Sequence, residues 1–236
     1  MAATFERVRR NFNGRIEEPV RKHLRNVYAC LSLSTGAAAV GACISVHTQL
    51  LTAGFLSLIA SLILLLVLQF TPPNGKNNNL RLGYLLGFAF FAGICVGPLV
   101  SFAVEINPSI IVSALIGTVL IFCCFTLSVL FAPKGYWLFI GAPLSTLLST
   151  LALLSLGNIF FASTWLFQVN IYFELLAMCG FVIYDTTIIM EKCRMNDRDF
   201  IRHTLDLFID IISIFKRLLA ILIEKERNSK SRSKNK

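Results

Sequence analysis

Apolar residues in this chain run in blocks rather than alternating with polar ones. The blocks fill residues 27–46, 50–70, 80–102, 110–131, 136–156, 165–190 and 201–223, with short polar links between them. A helix needs roughly 20 mostly apolar residues to cross the hydrocarbon core, and each block approaches or exceeds that length. The pattern predicts an all-α fold, a polytopic membrane protein built as a bundle of six to seven transmembrane helices. Composition agrees. Of 236 residues, 56% are hydrophobic and 15% charged, with a mean hydropathy of +0.70; ordinary soluble domains are about 25% charged. No room remains for a soluble domain, and no internal repeat stands out. The chain divides into a basic segment at 1–26, a membrane domain at 27–223 and a basic tail at 224–236.

The first segment has a different pattern. Phe5, Val8, Phe12, Ile16, Val20 and Leu24 recur at helical spacing with Arg between them. That predicts an amphipathic basic helix lying on an anionic membrane surface, kinked or divided at Pro19. The basic region is too long, and the first apolar run too extended, for a cleavable signal peptide.

Lys and Arg placement sets orientation. Residues 1–26 hold seven: Arg7, Arg9, Arg10, Arg15, Arg21, Lys22 and Arg25. Lys76, Lys134, and the group Lys192, Arg194 and Arg198 then fall on every second link. The alternation predicts a cytosolic N-terminus and cytosolic residues 191–200. The last block breaks it, because a full crossing puts the six Lys/Arg of 224–236 on the far side. This favours a re-entrant last helix and a cytosolic tail, in which Arg232 and Lys234 loosely resemble a dibasic retrieval signal of the endoplasmic reticulum.

Packing signals are local. Ala89, Gly93 and Gly97 stand four apart, a small-residue face that admits a close neighbouring helix. Pro98 and Pro143 each remove a backbone donor within a span, and broken helices of this kind border permeation routes in transporters. Six of the seven cysteines (Cys30, Cys43, Cys95, Cys123, Cys124 and Cys179) fall within spans and behave as small hydrophobes; Cys193 lies in a link. No Cys/His metal spacing is present.

The candidate chemistry lies in three acids. Asp185 sits in the sixth block; Asp206 and Asp210, one helical turn apart, sit in the seventh. A carboxylate at the bilayer centre costs roughly 2.5–3.5 kcal/mol on insertion scales, so it faces a bundle interior or water. Asp185 and Asp206 lie about 7.5 Å, and Asp210 about 13.5 Å, from the same cytosolic end. The short link between the blocks makes them antiparallel neighbours, so a carboxylate pair across the interface is expected. Two carboxylates at close range cannot both ionise cheaply, which suits a pH switch. Their oxygens also suit a transient hard cation such as calcium. Glu174 lies mid-span in the sixth block, and Lys216 and Arg217 follow Asp210 as candidate counter-ions.

The stretches "FVIYDTTIIMEK" and "RDFIRHTLDLFIDIISIFKRLL" resemble the C-terminal signature of the Bax inhibitor-1 family, and "RLGYLLGFAFFAGICVGPL" resembles its middle. The likeness runs from about residue 10 to the end. It implies a seven-helix bundle whose last helix is central, in contrast to the re-entrant reading. It also implies a multi-pass protein of the endoplasmic reticulum that suppresses cell death and leaks calcium in a pH-dependent way. The family's paired aspartates correspond to Asp185 and Asp210. Its Asp-Thr-Gln motif reads Asp185-Thr186-Thr187 here. The basic residue found beside the aspartates in bacterial relatives has no clear match, with Lys76 and Arg81 the nearest candidates.

Expected partners are membrane lipids and, by the resemblance, anti-apoptotic Bcl family proteins and calcium channels or stress sensors of the endoplasmic reticulum. Room is left for an oligomer. Nucleic acid and a cofactor are not expected; calcium is the permeant ion. No enzymatic activity is expected, since the Gly-x-Gly-Asp and Pro-Ala-Leu elements of intramembrane aspartyl proteases are missing. A non-conducting scaffold that binds cell-death regulators is the alternative. The resemblance implies that acid promotes the leak, which calls for a basic clamp on the ionised pair, drawn from Lys76, Arg81, Lys216 or Arg217.

Overall fold

A computed structural model describes residues 16–48 and 53–234. These form seven α-helices: α1 (Glu18–Thr48), α2 (Ala53–Phe70), α3 (Asn78–Ile106), α4 (Ser109–Phe131), α5 (Gly141–Phe161), α6 (Thr164–Arg194) and α7 (Phe200–Lys234). Short 3₁₀ turns at Gly75–Asn77 and Leu138–Ile140 lead into α3 and α5. No strand occurs among the described residues, and each apolar block of the sequence supplies one helix.

Polarity decides which helix goes inside. Among the described residues, α1, α3, α4, α5 and α6 are long and apolar enough to cross a membrane. In α2 the apolar stretch, Phe55–Phe70, is shorter. The remaining helix, α7, carries Asp206, Asp210, Lys216 and Arg217. It is unsuited to lipid contact, and it is surrounded by α1, α3, α4 and α6. Ile201, Leu205, Leu207, Phe208, Ile214 and Leu219 of α7 are fully buried, and Phe208 meets Phe88 of α3 edge-on. The outer helices show the opposite arrangement. Phe55, Leu62, Leu66 and Phe70 of α2, and Leu153, Ile159 and Phe160 of α5, are exposed. Hydrocarbon, unlike water, is a favourable solvent for such a surface.

The closest helix contact is between α1 and α3. A Cβ placed on Gly93 would stand 2.0 Å from the Ala38 carbonyl oxygen, and one on Gly97 would stand 2.1 Å from Ser45 Oγ. From the other side, a Cβ on Gly41 would stand 2.2 Å from the Phe90 carbonyl oxygen. Ala89 is fully buried on the same helix. Small residues on both helices let the backbones touch.

Four expectations change. First, α7 is not re-entrant. Its 35 residues extend about 52 Å at 1.5 Å per residue. At its start, Arg81 from the beginning of α3 pairs with Asp199. At its finish, Lys230 donates to the carbonyl of Ile106, the last residue of α3, at 2.6 Å. The tail therefore lies at the opposite end of the bundle from the α6–α7 link. Second, Pro19 does not kink a surface helix. It occupies the first turn of α1, where a missing N–H costs nothing. The proposed surface helix falls largely on residues 1–15, which lie outside the described residues; Ile16, Val20 and Leu24 are buried in the core. Third, Pro98 lies within an unbroken α3. Fourth, Pro143 belongs to the first turn of α5, behind the 3₁₀ turn, and so opens that helix rather than interrupting it.

Candidate functional site

Along α7, His203, Asp210, Arg217 and Glu224 recur every seven residues. Seven residues are nearly two turns, so all four project from one face. Each has a polar partner. His23 of α1 meets His203, with Nε2 and Nδ1 2.8 Å apart. Asp185 of α6 meets Asp210, carboxyl to carboxyl. Glu174 Oε2 accepts from Arg217 Nε at 2.9 Å, and Gln168 donates to Glu224. Three of these partners lie on α6, so the α6–α7 interface is a polar seam along the length of the bundle.

Asp210 is the most buried acid on the seam. Asp210 is 4% exposed, and its Oδ2 has no hydrogen-bond partner. Asp185 is half-buried. Asp206, also half-buried, does not touch them but is close enough to add its charge to both. Lys192, near the end of α6, acts on Asp185 and Asp206, and Arg202 adds to Asp206. The Thr187 hydroxyl, at the third position of the aspartate motif, donates to the Ile183 carbonyl of its own helix at 2.7 Å and so does not bond the pair. The neighbouring Thr186 is fully buried.

The four candidate clamp cations are elsewhere. Arg81, 3% exposed, makes a bidentate pair with Asp199, at 2.8 Å to Oδ1 and 2.6 Å to Oδ2. Arg217 is engaged with Glu174. Lys216 stands beside Cys95 and Arg217. Lys76 is exposed in the 3₁₀ turn before α3. The sequence reasoning missed Lys192 because it counted this residue only as a topology marker. It also missed the ladder on α7, although the seven-residue spacing was a readable signal.

Calcium as a resident ion does not fit the site. Among the described residues no group of three His, Cys, Asp or Glu side chains is arranged to hold a metal ion, whereas calcium takes roughly six to eight oxygen ligands. Two carboxyl groups suit brief contact with a passing cation. A separate cavity of about 830 Å³ lies between α1, α3, α4 and α7. It is walled by residues such as Ala39, Val96, Val100, Leu115, Phe122 and Ile211, with no acid, lysine or arginine. The charged residues lie along the α6–α7 seam instead.

Sequence comparison places these features in a known context. The sequence model of the family described as "Inhibitor of apoptosis-promoting Bax1" matches residues 20–228. Bax inhibitor 1 of Homo sapiens is 45% identical over 219 residues, covering 93% of this chain and 92% of the human protein. Bax inhibitor 1 of Drosophila melanogaster is 41% identical over 233 residues, covering 98% and 95% of the two chains. Bax inhibitor 1 of Oryza sativa subsp. japonica is 35% identical over 228 residues, covering 96% and 90%. The matched span reaches all seven helices and includes every residue of the α6–α7 seam, and the chain belongs to the Bax inhibitor-1 family.

Proposed function

We propose that this protein suppresses cell death from the endoplasmic reticulum membrane as a pH-sensitive calcium leak, with its N-terminus cytosolic and with Asp185 and Asp210 as the sensor. The observation that carries this reading is the placement of Asp185 on α6 beside the buried Asp210 of the central helix α7, close enough for the two carboxyls to act on each other. Two carboxyl groups in contact attract when they share a proton and repel when both are ionised. Proton occupancy is thus coupled to the spacing of two helices. Lys192, acting on Asp185 and Asp206, supplies the cation that holds the ionised group shut. Protonation releases that hold, so acid on the α6–α7 link side opens the route. Calcium is the permeant ion, no cofactor is needed, and the role is that of a channel rather than an enzyme. Anti-apoptotic Bcl family proteins and calcium channels or stress sensors of that membrane are the proposed partners, alongside lipid.

Calcium flux through the purified protein in vesicles tests this. Asp185→Asn, Asp210→Asn and the double variant are expected to alter the pH-dependent leak non-additively, because each single change already breaks the shared unit. Additive effects with an unchanged pH profile refute the pairing. Flux no greater than that of protein-free vesicles refutes the leak and leaves the scaffold role.

A further inference from the structure

Beyond the carboxyl pair, the seam carries a second charged station. Glu174 lies eleven residues from Asp185 on α6, and Arg217 lies seven from Asp210 on α7. These spacings correspond to about 16.5 Å and about 10.5 Å along the helices. Both return to the same helix face as the aspartates. Arg217 Nε donates to Glu174 Oε2 at 2.9 Å, with side-chain exposures of 25% and 15%. Asn170 Nδ2 donates to the other carboxylate oxygen at 3.0 Å. The Asn170 side chain is 7% exposed, and its Oδ1 is left without a partner. Lys216 lies close enough to Arg217, Glu174 and Cys95 of α3 for their charges to act on it. Between the two stations the interior is apolar and enclosed: Val182 and Ile214 are fully buried and Met178 is 8% exposed.

We propose that the Glu174–Arg217 ion pair is a second gate for divalent cations on the α6–α7 seam, in series with the carboxyl pair. The proposal rests on the leak reading given above. A charged pair inside a membrane domain is costly to keep, and truncating either member leaves the other uncompensated. Together the two charges cancel, so a cation arriving from the aspartates finds no net attraction. Glu174 is occupied on both oxygens, and the guanidinium stands on the route. The pair must part before the carboxylate receives the ion. Its two members therefore have opposite effects on flux, which a purely structural pair would not have.

The test uses the full chain reconstituted in vesicles that trap a calcium indicator. Asp210→Asn is measured in parallel as a report on the carboxyl station. Arg217→Gln bares the Glu174 carboxylate, and Lys216→Gln/Arg217→Gln also removes the adjacent cation. Both are expected to raise flux at least about fivefold, because a bare carboxylate in a low-dielectric wall attracts a divalent cation. Glu174→Gln bares the guanidinium and is expected to lower flux about fivefold. Exchanging the charges, Glu174→Arg/Arg217→Glu, is expected to return flux to within about twofold of wild type. Arg217→Lys, which keeps the charge, is expected to do the same. Only variants that elute as a single folded species are compared. If the two neutral singles fail to fold, the exchange and Arg217→Lys decide the matter, and loss of wild-type flux in both overturns the gate. Equal or same-direction changes in Arg217→Gln and Glu174→Gln, with Asp210→Asn still active on flux, overturn the gate alone. Wild-type flux equal to that of empty vesicles overturns the leak and the gate together.

Discussion

At the scale of single residues, a buried charge is secured or exploited according to its neighbour. Arg81 and Asp199 are a secured case: both are nearly enclosed and joined by two hydrogen bonds. Burial works to raise the Asp199 carboxyl, but the bonds from Arg81, helped by the Arg202 backbone N–H, outweigh it and hold the group below its ordinary 3.8. A carboxyl depressed on folding contributes stability that is present above the unfolded value and lost as pH falls through the folded one. Arg81→Leu strands Asp199 and is expected to cost about 3–5 kcal/mol near neutral pH. The deficit should narrow as pH falls, first above 3.8, where the stranded group, raised by burial without its partner, takes a proton, and then below 3.8, where the wild-type carboxyl does. Thermal unfolding in detergent across pH measures this, and a pH-independent deficit refutes it. Under the proposed leak, Lys192 is the exploited case, through its charge on Asp185 and Asp206. Lys192→Gln is expected to raise calcium leak at neutral pH and flatten its response to acid, which a flux titration reads directly. The partner of Arg81 was illegible in the sequence. Asp199 is 118 positions from Arg81, and no local pattern joins them. Arg217 was visible as a counter-ion, but its carboxylate had to come from another helix.

At the scale of elements, sequence periodicity was most informative where one chemistry dominates. Seven apolar blocks became seven helices because a run of about 20 apolar residues has few other stable fates in lipid. The small-residue spacing at Ala89, Gly93 and Gly97 falls on the face where α3 meets α1. Pro143 was harder to place, because proline within an apolar block reads alike whether it breaks a helix or starts one. The α1–α3 contact yields a paired prediction. Gly93→Ala puts a methyl group where the Ala38 carbonyl stands, so overpacking should cost about 1–3 kcal/mol. Gly83→Ala, on the same helix with nothing within 4 Å of the added Cβ, should instead stabilise by about 0.5–1 kcal/mol through helix propensity. Equal shifts in thermal midpoint for the two refute the close packing.

At the scale of the whole molecule, two signals conflicted over the last helix. Six basic residues in 224–236 argued for a tail on the same side as the α6–α7 link. The folded chain answers with a single uninterrupted helix, and the reason lies in its polar residues. Asp210, Arg217 and Glu224 each find a partner on α6 at increasing distance from the link. Near the far end, Asn107 donates to Glu226 at 3.3 Å. A helix that turned back midway would forfeit the later partners and strand Glu174 and Gln168 within the bundle. Charge placement acts during insertion and is a bias of a few charged groups, whereas this ladder acts on the finished bundle and extends along its length. The ladder therefore predicts topology: the two chain termini lie on opposite sides of the membrane. Epitopes at the two ends, probed by protease on sealed microsomes, should show one digested and the other protected until detergent is added. Digestion of both in intact vesicles would mean that α7 does not cross, and the Glu174–Arg217 and Gln168–Glu224 contacts would then have to be absent from the protein in its membrane.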